Sequence, residues 1–337
     1  MYERIRLASI FLQRVEDNDE IREMDNGEEI IAHYKGEARF LRAYYYWLLM
    51  KELGPVAIAP LEPSGPNDNF QIPRSTWDES VAFVLSELNL AKQDLPTEYY
   101  VEGTITPDGT QVGRINDIIV EALESRILLY HASPLFNGNT DLANFQNHDG
   151  TVLFNQTYDA SRWTIAAQAA KEAINLAEAN GKSLFRVEGS DPFTSGFLSA
   201  RNLYWDGWST EGIWLRPSSN TYQWQVHAAP RSTAGGSYNG LAVVQRLVDD
   251  YRMEDGKSID ESTEYHTESY SAETTNYYVE GTNSMYFNRE PRFYAHITFN
   301  GAHNPGTSKP GLHNSRVEFF NTGTSGKAGS PRDWPKT

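Results

Sequence analysis

Hydrophobic positions recur with a helical period through the first 180 residues of the chain. The strongest pattern lies in GEARFLRAYYYWLLMKELGPVAIAP, residues 36–60, where one apolar row runs from Ala38 to Leu48 and an adjacent row runs from Phe40 to Trp47. Two adjacent rows make the apolar sector wider than a surface helix requires. The pattern therefore predicts a helix over 36–53 that is packed against other elements on most of its sides.

The end of this helix and its charged residues fit the same prediction. Gly54 and Pro55 end it, because glycine accepts the left-handed cap and proline cannot continue the hydrogen-bond ladder. Glu37, Arg39 and Arg42 lie on a helix that leaves little room for exposure. We therefore expect these three side chains to form ion pairs with neighbouring helices.

Apolar spacing also predicts helices over 1–15, 77–92, 117–131 and 162–179. The side chains suited to cap the helix starts are Asn26 with Glu29, Thr76 with Glu79, Asn116 or Asp117, and Ser161. Successive starts are about 40 residues apart, unlike the tetratricopeptide (TPR) period of about 34 residues per helix pair. Alanine and glycine at the expected helix contacts nevertheless resemble TPR packing. The fold class is therefore predicted to be mostly α, a TPR-like helical array, with an irregular all-α domain as the alternative.

The composition and the hydrophobic periodicity of the sequence change after residue 180. Residues 182–240 lack a long periodic segment and are rich in Gly, Ser, Pro and Trp. A short helix is predicted over 241–251 and a strand over 293–299, so that strand content should be minor and confined to this part. We predict a helical region over 1–180 and a loop-rich, Trp-rich substrate-binding region over 181–337. The Gly, Ser and Pro-rich tail over 322–337 does not resemble the end of a finished domain.

Composition narrows the range of partners. The 337 residues include 45 acidic and 29 basic side chains, giving a net charge of −16, which argues against nucleic acid and against a polybasic membrane patch. The absence of cysteine excludes disulfides, thiol nucleophiles and cysteine-ligated metals. No run of 18 apolar residues and no signal segment is found. Eight Trp and 19 Tyr, which combine an apolar body with a polar group, suit binding surfaces.

The sequence contains only weak matches to catalytic, nucleotide-binding and metal-binding motifs. The chain has no HExxH, GxSxG or GxGxxG pattern, and GTSGK over 323–327 is too short for a phosphate loop. Asn137, Asn139 and Asp141 alternate as calcium ligands do, but Leu142 replaces the required glycine and His148 stands at the closing glutamate position. A polar turn is the favoured interpretation there. No catalytic residue, metal ligand or cofactor is predicted.

The loop-rich region supplies the candidate ligand-binding residues. Sugar rings have apolar C–H faces that stack on indole and phenol rings, while polar neighbours bond the hydroxyl groups. The predicted binding residues are Tyr204, Trp205, Trp208, Tyr222, Trp224 and Tyr238. The competing interpretation is that these rings fill a small satellite core under long loops. Trp47, Trp77 and Trp163, which lie on helical faces, are assigned to core packing.

Several stretches in order resemble the SusD/RagB-type proteins, the outer-membrane nutrient-binding lipoproteins of Bacteroidota. The signature helix GEARFLRAYYYWLL is followed by its Gly-Pro turn. The other matching stretches are YERIRLASIFL from residue 2, RSTWDE from 74 with Leu-Pro at 95, GR at 113 through Pro134, LVDDY from 247 with the DG that follows, and NREPRF from 288 with NG at 300. In the last motif Glu290 stands where the family usually has Asp.

The resemblance implies a cell-surface protein at the outer membrane. It would capture a glycan and deliver it to a SusC-like TonB-dependent transporter, without a chemical step. A full member carries a signal peptide, a lipidated cysteine and further helices, so we interpret this sequence as an N- and C-terminally incomplete part of such a lipoprotein. The alternatives are a helical-repeat scaffold that binds a protein or peptide, and a glycan-active enzyme.

Overall fold

The computed structural model describes residues 1–62, 65, 67–69, 71–205, 208–216, 222–231, 237–303, 316–326 and 328. Packing divides the chain into two compact units, with unit 1 formed by Met1–Ser183 and Gly212–Leu215 and unit 2 by Leu184–Glu211 and Arg216–Thr337. Lys327 and most of the 322–337 tail lie outside the described residues. The assignment of 1–180 to a helical region and 181–337 to substrate binding stays a prediction.

The described residues form a mostly α-helical protein, which confirms the predicted fold class. The helices are α1 (Tyr2–Arg14), α2 (Asp19–Arg22), α3 (Gly27–Leu53), α4 (Trp77–Asp94), α5 (Asp117–Ala132), α6 (Ser161–Ala179), α7 (Pro192–Asn202), α8 (Tyr222–Ala228), α9 (Gln245–Asp250) and α10 (Pro291–His296). Extended pairing in this part of the chain is limited to isolated bridges. Two of them, Tyr100 with Pro107 and Gln146 with Val152, precede residue 180, so minor β pairing is not confined to the second half. Within the same residues, no helix has the length and apolar content needed to cross a bilayer.

Unit 1 is an array in which successive long helices are neighbours: α1 and α4 pack on α3, α5 packs on α4, and α6 packs on α5. The wide apolar sector of α3 is buried as predicted, with Trp47 1% exposed. Trp77 is also 1% exposed, and its ring stacks on Phe136 with a centroid separation of 3.8 Å. Both tryptophans therefore belong to the core, as the sequence predicted.

The charged residues of α3 are paired. Arg42 Nη1 lies 3.0 Å from Glu87 Oε2 on α4, and Arg39 Nη1 lies 3.7 Å from Glu87 Oε1. Glu37 Oε1 accepts a 2.7 Å hydrogen bond from Arg114 Nε, in the segment before α5. The prediction of ion pairs with neighbouring helices is confirmed for the two arginines, whereas the partner of Glu37 lies in a loop.

Two of the predicted helix caps form. At α4 the Thr76 hydroxyl accepts from the Glu79 N–H at 3.2 Å, and Glu79 Oε2 accepts from the Thr76 N–H at 2.8 Å, which completes a capping box. At α5 the Asn116 side chain accepts from the Ile119 N–H at 3.0 Å. Each cap satisfies donors that a helix start otherwise leaves unpaired.

At the other two helix starts the predicted side chain makes no capping bond, although Asn26 does occupy the cap position of α3. Asn26 precedes α3, but its backbone has φ −110° and ψ 20° and its side chain makes no capping bond. Ser161 is the first residue inside α6 rather than its cap, and Asp159 Oδ1 accepts the Ser161 N–H at 2.9 Å. The acidic side chain two residues earlier has taken the role expected of the serine.

Two further predictions are wrong, namely the burial of Trp163 and the strand over residues 293–299. Trp163 is 41% exposed rather than buried, because it lies on a side of α6 where Ile174, eleven residues later, is also exposed. Residues 291–296 form α10 instead of a strand, because Pro291 occupies the first helical turn and suits its fixed backbone angle. Phe293 on α10 is fully buried.

Unit 2 has its own apolar core. Its buried members are Val248, Phe293, Ile297, Phe299, Ala302 and Val317, and α7 packs on α10. The helix predicted over 241–251 is present as the shorter α9. The buried guanidinium of Arg289 donates to the carbonyl oxygens of Val248 at 2.6 Å and Tyr251 at 2.9 Å, which fixes the end of α9.

Candidate functional site

The first part of the candidate surface follows α7, whose start is firmly capped. Asp191 Oδ1 accepts the Thr194 N–H at 2.9 Å, and this bond with others from neighbouring side chains lowers the pKa of Asp191 to about 2. Pro192 fits the first turn behind this cap. The chain leaves the helix in a turn in which the Trp205 N–H donates to the Asn202 carbonyl at 2.9 Å. The position of Trp205 is thereby tied to the end of a capped helix.

Two aromatic side chains project from this turn. Tyr204 is 77% exposed and Trp205 is 68% exposed. The Arg201 guanidinium carbon lies 5.0 Å from the Trp205 ring centroid and 5.2 Å from that of Phe197. Such cation–π contacts restrict the ring without burying it. The turn therefore presents an ordered, accessible indole beside a positive charge.

The second part of the surface is α8. Tyr222 is 58% exposed and Trp224 is 67% exposed, and a spacing of two residues turns their side chains toward different sides of the helix. Val226 is the buried residue of this helix. A short helix held by a single buried side chain thus presents two large aromatic rings to solvent.

Tyr238 packs along α8. Its N–H donates to the Val226 carbonyl at 2.7 Å, and its ring lies 5.3 Å from the His227 imidazole. The Gly240 N–H donates to the His227 carbonyl at 2.8 Å, so the segment after residue 237 is fixed against the helix. Tyr238 is half-buried, as is Trp208. These two rings contribute packing as well as accessible surface.

The predicted residues therefore group by their contacts. Tyr204 and Trp205 belong to the α7 turn, while Tyr222, Trp224 and Tyr238 belong to α8 and the segment beside it. Trp214, which lies between these residues in the sequence and was not among the six, belongs to unit 1, where its ring lies 5.3 Å from Phe40 and 5.1 Å from Tyr44.

Sequence reasoning missed three residues of this surface. Phe197 and Arg201 precede Trp205 at intervals of four residues, a spacing that would place them in one row of a helix. That signal was available but was not used. His227, which contacts Tyr238, carried no sequence signal, because the contact joins a helix to a later loop.

In the part of the chain that the structure describes, no group of three His, Asp or Glu side chains is arranged to hold a metal ion. The calcium-like pattern is a polar turn. The Asn137 amide donates to the Asp159 carbonyl at 2.8 Å, and Asn137 Oδ1 accepts the Asp159 N–H at 2.8 Å. Asn139 Oδ1 accepts the Asp141 N–H at 3.0 Å. These side-chain oxygens already have backbone partners.

Two family models match the chain. The model SusD-like_3, described as "Starch-binding associating with outer membrane", matches residues 1–112. The SusD_RagB model, described as the SusD family, matches residues 201–334. The chain belongs to the SusD/RagB-like family. The matched ranges include α1 to α4 and all six predicted binding residues.

Solved structures of SusD-like proteins share the fold. BT4246 is similar with a TM-score of 0.65 and 23% identity, over 89% of this chain and 54% of that one. A SusD-like protein (BF3747) from Bacteroides fragilis NCTC 9343 is similar with a TM-score of 0.60 and 21% identity, over 96% of this chain and 53% of that one. The chain thus spans about half the length of these structures. A comparison with curated proteins finds no match.

Proposed function

We propose that this SusD-like chain binds a glycan through the exposed aromatic rings of unit 2 and delivers it to a SusC-like TonB-dependent transporter at the cell surface. The observation that carries the proposal is the exposure of Trp205 and Trp224, at 68% and 67%. Four of the six predicted rings are more than half exposed, whereas a satellite core would have buried them. The family description of starch binding at the outer membrane supports the same function and location.

The chemistry of the surface suits saccharides. An exposed indole offers a flat apolar face for the C–H groups of a sugar ring, and the Arg201 guanidinium beside Trp205 offers N–H donors to hydroxyl or ring oxygens. The surface needs no bond cleavage to serve capture, and we assign it no catalytic step. A scaffold for protein partners is the alternative from the sequence, and the experiment below separates the two.

A glycan microarray probed with the fluorescently labelled 337-residue chain tests the proposal. We expect binding to one class of polysaccharide, and at least a tenfold weaker signal for the Trp205→Ala and Trp224→Ala double variant. Trp163→Ala is the matched control, because it removes a 41% exposed indole from α6 in unit 1. Mass spectrometry of the recovered glycan should show intact chains. Absence of binding across the array would contradict the proposal, and shortened products would favour the enzyme alternative.

Delivery to the transporter is tested in cells. Uptake of the labelled glycan should fall in cells whose only copy of this protein carries the two tryptophan substitutions, while the amount of protein at the cell surface stays unchanged. Equal uptake by the wild-type and double-variant cells would refute a role of this surface in import.

A further inference from the structure

A polar cleft of about 880 Å³ lies in unit 1, beside the first turns of α3. One wall is a hairpin over residues 99–108, in which the Val101 N–H donates to the Thr106 carbonyl at 2.9 Å and the Asp108 N–H donates to the Tyr99 carbonyl at 2.8 Å. Clefts of roughly 300–1,000 Å³ are the usual size of small-molecule sites. The cleft is therefore large enough for several sugar units.

The floor of the cleft is rigid. Arg114 donates through Nε to Glu37 at 2.7 Å and through Nη1 to Gln111 at 3.0 Å, and its guanidinium carbon lies 4.4 Å from the Tyr99 ring centroid. The Tyr99 hydroxyl donates to the Ile115 carbonyl at 2.7 Å. Because these groups already have hydrogen-bond and ion-pair partners, they hold the shape of the cleft and are not available to pair with a charged ligand.

Two other lining side chains make no hydrogen bond within the described residues. One is His33, whose Nε2 lies 3.8 Å from Glu29 Oε1 and whose ring meets the Tyr99 ring edge to face at 5.5 Å. The amide of Asn26 likewise makes no bond there and does not cap α3. The two groups supply both donors and acceptors to whatever enters the cleft.

The lining selects against anions. Glu29, Glu98, Glu102 and Asp108 line the cleft, while the Arg114 charge is neutralised by Glu37. Burial also lowers the pKa of His33, which keeps the ring neutral at neutral pH. An acidic lining repels carboxylated, sulfated and phosphorylated ligands.

The lining also suits hydroxyl groups. Its carboxylates can accept hydrogen bonds from them, and the Asp108 carboxylate is held in place on the hairpin because it accepts from the Thr110 N–H at 2.9 Å and from its hydroxyl at 2.7 Å. The His33 imidazole and the Asn26 amide can bond further hydroxyl groups. Tyr100, which is 55% exposed, adds an aromatic face.

We infer that this cleft is a second ligand site, which binds a short neutral oligosaccharide between Tyr100, His33 and Asn26. The inference stands on the cleft alone and does not depend on the aromatic surface of unit 2. It predicts that the chain retains a weaker saccharide affinity after that surface has been removed.

Calorimetric titration of the Trp205→Ala and Trp224→Ala double variant isolates the cleft. The probes are maltohexaose, cellohexaose and xylohexaose as neutral chains, the chitosan hexamer as a cationic chain, and hexagalacturonate as an anionic chain. We expect at least one neutral hexamer to bind below about 10 mM, and Tyr100→Ala to weaken it at least fivefold. His33→Leu should have a similar effect. Tyr158→Ala, which removes a 60% exposed ring elsewhere in unit 1, should have none.

Three outcomes would overturn the inference: no binding of any neutral hexamer at about 10 mM, tighter binding of a charged hexamer than of every neutral one, or neutral binding that Tyr100→Ala leaves unchanged. Because Tyr100 is mostly exposed, its substitution should leave the melting temperature unchanged, which separates lost binding from lost folding. A failure of the unit 2 proposal would appear as an unchanged array signal for the double tryptophan variant and would leave this test intact.

Discussion

Replacing Trp47 with alanine removes one of the largest fully buried side chains of the protein. The indole is 1% exposed, and its ring meets the Tyr130 ring edge to face at 5.2 Å. The side chain lies on α3, between the helices that pack on either side of it. A cavity at this position has rigid walls, because packed helices can close it only partially.

The expected loss of stability follows from the buried area. A buried indole removes about 150–250 Å² from water, which is worth about 4–6 kcal/mol at about 25 cal/mol per Å². Residual burial in the unfolded chain reduces this figure by roughly 10–40%. We therefore expect Trp47→Ala to lower the free energy of unfolding by about 3–5 kcal/mol, in agreement with measured costs of emptying large aromatic positions.

Urea unfolding followed by far-UV circular dichroism measures this loss. Trp163→Ala is the matched control, because it makes the same substitution on a helix of the same unit at a position that is 41% exposed. We expect the control to cost about 1 kcal/mol or less. A loss below about 1 kcal/mol for Trp47→Ala, or equal losses for the two variants, would refute the packing assigned to α3.

Three further predictions test individual interactions by denaturant titration. Thr76→Ala should lower the free energy of unfolding by about 0.5–2 kcal/mol, because the capping box is lost. Asn26→Ala, at a cap without a side-chain bond, should lower it by less than about 0.5 kcal/mol. Equal losses would contradict the cap assignment. Arg42→Met should cost about 3–5 kcal/mol, because the buried Glu87 keeps only the longer contact with Arg39 at 3.7 Å, and adding Glu87→Leu should recover part of the loss. A double variant less stable than the single one would contradict this. Burial lowers the folded-state pKa of His131, so the unfolded chain binds the proton more readily and this residue makes stability fall as pH drops through about 6.5. His131→Gln should flatten the decline between about pH 7.5 and 5.5, and an unchanged slope would contradict the assignment.

Patterns among residues close in the sequence predicted the long helices of unit 1 well. The double apolar row of α3 and the capping box of α4 depend on residues close in sequence, and both are present in the structure. Trp163 was misassigned because periodicity identifies an apolar side of a helix but not whether a neighbour covers it. The error at 293–299 has a similar cause, since an aromatic run of that length suits either a strand or a short helix, and Pro291 decided between them.

The candidate surface was predictable in part. Aromatic residues in a loop-rich segment pointed to Trp205 and Trp224, and both are exposed. Their grouping was not predictable, because it depends on where α7 and α8 end. His33 also gave no sequence signal for the cleft, because its environment is created by the hairpin over 99–108, which is distant in the sequence.

Calorimetric titration with the glycan selected on the array tests the central claim most directly. The account predicts that Trp205→Ala or Trp224→Ala weakens binding at least tenfold, about 1.4 kcal/mol, while the melting temperature stays at the wild-type value because both rings are mostly exposed. Normal glycan affinity in both variants, together with earlier melting, would show that these rings form a satellite core and would contradict the account.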